Sequence, residues 1–401
     1  MVNGQFSKYM SFRAIKFMTL TFVLIVLVAG LGIWYAERPV RSLKLDTTQL
    51  EVRVLLRNLE IPWDMDWSGD GWIWFSEKKG RISRFSPESG ELQEIHFIEE
   101  VHQSPDNSGL HALALHPEFP KVPYVYVHYT YAPDKGRFVR FSFDSSTGLL
   151  EERTVLLDEL PASFTHNGSR IVFSPDHKHL YLSLGDALHA ESAQDLNEFS
   201  GKILRLNVDG SIPVDNPFPD SPIWSYGHRN PQGLVLASNG HLYSSEHGRS
   251  DDDELNLIKK GKNYGYPNVQ GFCDSREEED YCRRHEAKVP LKVWSPTFAV
   301  SGIAYYDHAA IPEWQNSILI TSLKNSRVKA GKRLQMLRLN KEGDKIIGTT
   351  DYLVNTFGRL REVMTTPDGR IFIFTSNREL NSNGPRFPYP GDDKLIMLQR
   401  K

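Results

Sequence analysis

Four hundred and one residues are too many for one ordinary small domain and suit one large domain or two average ones. Apolar residues at 40% and charged residues at 24% describe a globular chain, and 47 Lys and Arg against 50 Asp and Glu leave a formal charge of -3, without the large basic surplus of a nucleic-acid binder. Two cysteines exclude a disulfide scaffold and a four-cysteine zinc site, while 29 glycines and 11% aromatics favour a turn-rich β protein over a helical bundle.

The first element is Phe17 to Ala36 (FMTLTFVLIVLVAGLGIWYA), an uncharged run long enough to cross a bilayer core as a helix. Lys8, Arg13 and Lys16 precede it, as in a signal peptide or signal anchor, and Trp34 and Tyr35 close it as interfacial aromatics do. We read an uncleaved, single-pass anchor. Residues 1–44 would then be a cytoplasmic tail, anchor helix and linker, with residues 45–401 on the periplasmic side of the inner membrane. Basic residues balance across the run, so the positive-inside rule decides little. Cys273 and Cys282 bracket a polar segment (CDSREEEDYC), where a local bridge suits an oxidising compartment; two free thiols are the alternative.

Beyond residue 50 no long helical periodicity appears. A short apolar strand, a turn and an aromatic or β-branched strand recur six times, starting near Pro62, Leu110, Ser169, Gln232, Ser301 and Arg361. Ile73, Val125, Leu180, Leu242, Ile318 and Ile371 are equivalent positions in the second strands. Repeats at this interval, with further strand candidates between them, predict an all-β six-bladed propeller. In each hairpin the residue before the first strand and the residue after the second share one end. Those positions, hundreds of residues apart in sequence, should converge on one mouth of the central channel.

The converging set is Asn107, His166, Asp186, Arg229, Asn230, Gly248, Arg249, Thr297, Lys324, Arg359 and Arg361. Four cations in one mouth (Arg229, Lys324, Arg359, Arg361) repel one another, which predicts a bound polyanion carrying carboxylates or phosphates. His166 beside Asp186 reads as a carboxylate-oriented base. Asp251, Asp252, Asp253 and Glu254 read as a solvated acidic run, although they resemble a metal cluster. The Gly248-Arg249 turn before them can offer backbone carbonyls to a hard cation such as calcium.

Nine motifs then meet in order: PWDMDW, SGLHALALHPEF, HNGSRIVFSPD, LSLGDA, GKILRLNVDGSIPVDNPF, YGHRNPQGL, EHGRSDDDELNLI, SLK and GRLREVMTTPDG. With them, residues from about 50 onward resemble the soluble glucose dehydrogenase and aldose sugar dehydrogenase family, which uses pyrroloquinoline quinone (PQQ) and calcium. The resemblance implies oxidation of an aldose to a lactone, with electrons passing on to an acceptor the sequence does not identify. It places the base on His166, its supporting carboxylate on Asp186, and the quinone-facing arginine on Arg229 beside Asn230. Cofactor carboxylates would fall to Lys324, Arg359 and Arg361 with Thr297, the substrate contact to Asn107, and calcium to the carbonyls of Gly248 and Arg249. Arg249 stands where the family often has proline, Thr165 where the glucose enzymes have an acidic residue, and Ser295 or Trp294 where an aromatic covers the sugar. A calcium-dependent, lactonase-like hydrolase and a non-catalytic, membrane-tethered propeller remain the alternatives.

Overall fold

The computed structural model describes residues 40–103, 107–324, 331–379, 388 and 390–401. The chain divides into two units, Met1–Ser42 and Leu43–Lys401. The expected anchor, residues 17–36, lies outside the described residues, among which no helix is long and apolar enough to cross a membrane.

Six antiparallel sheets make up the second unit, each opening on an inner strand: Pro62–Trp67, Leu110–Leu115, Gly168–Phe173, Pro231–Leu236, Val300–Tyr306 and Leu360–Thr365. Successive inner strands pack side by side around a ring, the last against the first, so the six-bladed propeller expected from the repeats is present. The second strands are buried over most of their length, and throughout in IWFSE at Ile73–Glu77 and SILITS at Ser317–Ser322. Neighbouring blades cover both of their faces, so these strands read as continuous apolar runs without alternation. All six equivalent positions, from Ile73 to Ile371, fall in these strands and are buried. The last sheet closes the ring by pairing the C-terminal strand Leu395–Arg400 with Gln49–Leu56, Leu50 lying opposite Arg400.

A register shift interrupts every one of the six inner hairpins near the start of its first strand: Pro62/Met65, Leu110/Leu113, Gly168/Arg170, Pro231/Gly233, Val300/Ile303 and Leu360/Glu362. Such bulges bend a strand and re-aim its side chains. The residues skipped by the pairing include Trp63, His111, Gln232 and Arg361, which meet as one layer across the channel. Trp63 lies 4.5 Å from the His111 ring, and the Arg361 guanidinium stacks 4.1 Å from Trp63. Below them Arg170 plugs the channel. It pairs with Asp64 (3.0 Å) and Glu362, and donates to the carbonyls of Gln232 and Trp63. A cavity of about 630 Å³ lies beyond the plug, at the opposite end from the converging residues, lined by Asp66, Trp67, His116, Ser238 and His308.

The polar segment between the cysteines is helical over Arg276–His285, which hydrophobic periodicity does not reveal because no residue of it is buried. A capping box joins Ser275 and Glu278, with acidic residues in the first turn and basic ones in the last, so capping and the helix dipole favour it instead. Cys273 and Cys282 are disulfide-bonded, which decides between the two readings of these thiols. Replacing both by serine should cost roughly 2–3 kcal/mol, the chain-entropy value for so short a loop. Chemical denaturation of the variant beside the oxidised parent would check this, and equal stability would show that the bridge constrains nothing.

Candidate active site

His166 sits just before the third inner strand in left-handed backbone geometry (φ 59°), which costs a non-glycine residue free energy and recurs at functional sites. Its backbone passes against Gly185, where a Cβ would lie 1.9 Å from the His166 carbonyl oxygen; this contact explains the glycine of the LSLGDA motif. Asp186, the next residue, brings Oδ1 to 2.8 Å from His166 Nδ1. The same carboxylate accepts from the Leu188 N–H at 3.0 Å and, through Oδ2, from the Tyr266 hydroxyl at 2.9 Å. Burial pushes the Asp186 carboxyl up, but these three donors outweigh it and hold it below its ordinary value.

The other ring nitrogen, His166 Nε2, lies 3.1 Å from Nη2 of Arg229. An ionised carboxylate only accepts and a guanidinium only donates, so the proton of a neutral imidazole must sit on Nδ1 and the lone pair on Nε2. Arg229 Nη1 reaches the carbonyls of His247 (3.0 Å) and Gly248 (2.7 Å). Its backbone is set by Glu246, which accepts from the Arg229 N–H and from His228 Nδ1. Asn230 turns inward, its Oδ1 accepting from the Gly168 N–H and from Gln232 Nε2, both at 3.1 Å.

Gln232 joins this half of the site to the other half. Its Oε1 accepts from Arg361 Nη1 at 3.2 Å, and Nη2 groups of both Arg361 and Arg359 bind one oxygen of Glu379. Both arginines are thus paired, which corrects the expectation of an uncompensated cation cluster: Glu379 is a built-in counter-ion. Burial raises its carboxyl, but Arg361 and Arg359 outweigh that and lower it to about 2. Arg359 also donates to the carbonyls of Ser376 and Leu323. Lys324, next in the chain, is half-buried, its N–H bonded to the Phe298 carbonyl.

Three expected residues occupy supporting positions. Asn107 donates to the hydroxyl of Thr165, so it braces the loop carrying His166. Thr297 is buried and donates to Asp253. The side chain of Arg249 is exposed. The acidic run is not simply solvated: Asp253 is fully buried and accepts from the N–H groups of Gly248, Phe298 and Val300, clamping the turn. Among the described residues no cluster of His, Cys, Asp and Glu could hold a metal. The backbone oxygens at Gly248 do suit a hard cation, because a carbonyl has two lone pairs and Arg229 uses one. Glu379, Tyr266 and Lys78, whose charge also acts on Glu379, were not among the expected site residues. Lys78 and Glu379 closely follow second strands, where the rule that found Asp186 points; nothing in the sequence marks Tyr266, which arrives on a long inter-strand loop.

A family model described as glucose/sorbosone dehydrogenase matches residues 59–382. The chain belongs to this family. It is therefore an oxidoreductase-family propeller, and its relatives share its length unevenly. Quinoprotein glucose dehydrogenase B of Acinetobacter calcoaceticus is 38% identical over 269 residues, 59% of this chain and 56% of that protein, so the match spans little more than half of the relative. Aldose sugar dehydrogenase YliI of Escherichia coli is 31% identical over 84% of this chain and 93% of its own. The PQQ-bound aldose sugar dehydrogenase of Streptomyces coelicolor has 30% identity and a TM-score of 0.74, over 88% of this chain and 98% of that one.

Proposed function

We propose that this family member oxidises the anomeric hydroxyl of an aldose to a lactone, using PQQ with calcium. The observation that carries the reading is the orientation of His166: Asp186 on Nδ1 leaves the Nε2 lone pair facing the channel mouth beside a guanidinium. Bound PQQ would supply the two-electron acceptor for hydride, and calcium a Lewis acid beside it. Arg229, Lys324, Arg359 and Arg361, with Asn230 and Thr297 as polar neighbours, would hold the cofactor, and the carbonyls of Gly248 and Arg249 the metal.

The residues of the chain then divide the work. A substrate hydroxyl takes the place of the Arg229 N–H at His166 Nε2, which accepts its proton. Asp186, ionised and triply hydrogen-bonded, stabilises the imidazolium that results. Released from Nε2, the Arg229 fork can donate to oxygen carrying negative charge, a role worth most in a site shielded from water. Asn107, bonded to Thr165, would reach the sugar from that side.

We further propose that residues 17–36 tether the propeller to the inner membrane on its periplasmic side, where electrons pass to an acceptor protein or quinone. Purified protein mixed with PQQ and calcium should show a shifted quinone absorbance and reduce a dye when aldoses are added. Absorbance unchanged at saturating PQQ would remove the cofactor. Dye reduction absent with a full aldose panel, despite PQQ binding, would favour a non-catalytic propeller.

A further inference from the structure

Arg361 is only 1% exposed and Arg359 only 6%, although both were expected to grip a ligand entering from solvent. Three approaches to the Arg361 guanidinium are taken, while its buried Nε has no hydrogen-bond partner among the described residues. Trp63 covers one face at 4.1 Å, Gln232 accepts from Nη1, and Glu379 accepts from Nη2. Trp63 belongs to an inner strand and Gln232 is locked to Asn230, so both are fixed by the ring. Glu379 is different. It lies beyond the end of strand Ile371–Thr375, its Oε2 shared by two arginines and its Oε1 buried without a hydrogen-bond partner among the described residues.

A carboxylate that binds two guanidinium groups through one oxygen, and leaves the other unsatisfied, does what a carboxylate of an anionic ligand would do there, with poorer geometry than a two-oxygen fork. We infer that Glu379 is a placeholder: it neutralises Arg359 and Arg361 in the empty protein and must withdraw before a ligand carboxylate can reach them. Glu379 thereby sets the affinity of the mouth for polycarboxylates. Binding would exchange one anion for another, so the two arginines are never left buried and unpaired, a state that costs more than the net worth of the pairs. The inference rests on the PQQ reading for its ligand, though the exchange requires only a polycarboxylate.

The test compares the cofactor-free parent with Glu379→Gln, which keeps the shape and removes the charge. The variant should melt at a lower temperature, and citrate should restore its midpoint far more than it moves that of the parent. Its dissociation constant for PQQ, read from quinone absorbance, should fall by about tenfold, the size of one lost competing charge contact. Equal or weaker PQQ binding, with no selective protection by citrate, would overturn the placeholder and make Glu379 a permanent strut. Should Glu379→Gln fail to fold, Glu379→Asp retains the charge on a shorter arm and should bind PQQ more tightly than the parent; weaker binding overturns the inference. If neither protein binds PQQ while citrate selectively protects the variant, the placeholder stands and the cofactor reading falls.

Discussion

Replacing His166 by alanine is expected to lower turnover of the reconstituted enzyme by a factor of about 10² to 10⁴, the usual contribution of a positioned base, while PQQ still binds. The side chain touches Asp186 and Arg229 but none of Lys324, Arg359 or Arg361, so cofactor affinity and proton removal should separate. The left-handed backbone at this position adds a control, because alanine tolerates that geometry poorly and asparagine tolerates it well. His166→Asn should therefore keep the melting temperature closer to the parent and be equally slow. Asp186→Asn should lose activity by another route: the amide can donate to Nδ1, which moves the imidazole proton to Nε2 and removes the base. Steady-state rates at saturating sugar decide the matter, and parental turnover in His166→Asn would eliminate His166 as the base.

The second large effect concerns stability. Arg170→Met should destabilise the propeller by about 3–5 kcal/mol, the usual consequence of removing one partner from a buried ion pair. Arg170 is 4% exposed and links Asp64 to Glu362 across the channel, so its loss leaves two buried carboxyls facing each other. Burial already pushes Glu362 up to about 8 and raises Asp64, with Arg170 pulling both down. Without the arginine both should bind protons still more readily than they do in the unfolded chain, where they ionise near pH 4. The deficit should then grow most as pH rises through about 8, where Glu362 ionises in the parent but keeps its proton in the variant. Urea denaturation at several pH values measures this, and a pH-independent deficit would mean that packing, not charge, is what Arg170 supplies.

The propeller was legible because each blade repeats a buried second strand bounded by turns, a pattern that survives in Ile73–Glu77 and Ile371–Thr375 alike. Convergence on one mouth followed from hairpin geometry, and His166, Asp186, Arg229 and Asn230 do meet there. What stayed hidden has physical causes. The helix at Arg276–His285 owes nothing to a buried face, so hydrophobic periodicity has no hold on it. The charge argument counted cations alone and missed Glu379, which cancels part of their repulsion. Thr297 and Asp253 show the same limit from the other side, since a polar residue at the right level can spend its hydrogen bonds on the backbone that shapes the site.

The six interrupted hairpins separate two design problems along a single strand. Above each interruption, residue choice serves recognition at the rim; below it, choice serves the close fit between blades and the Arg170 plug. Because the extra residue resets which way the chain faces, a substitution in the upper segment need not propagate into the lower one. New ligand preferences can therefore arise on this scaffold without retuning its architecture.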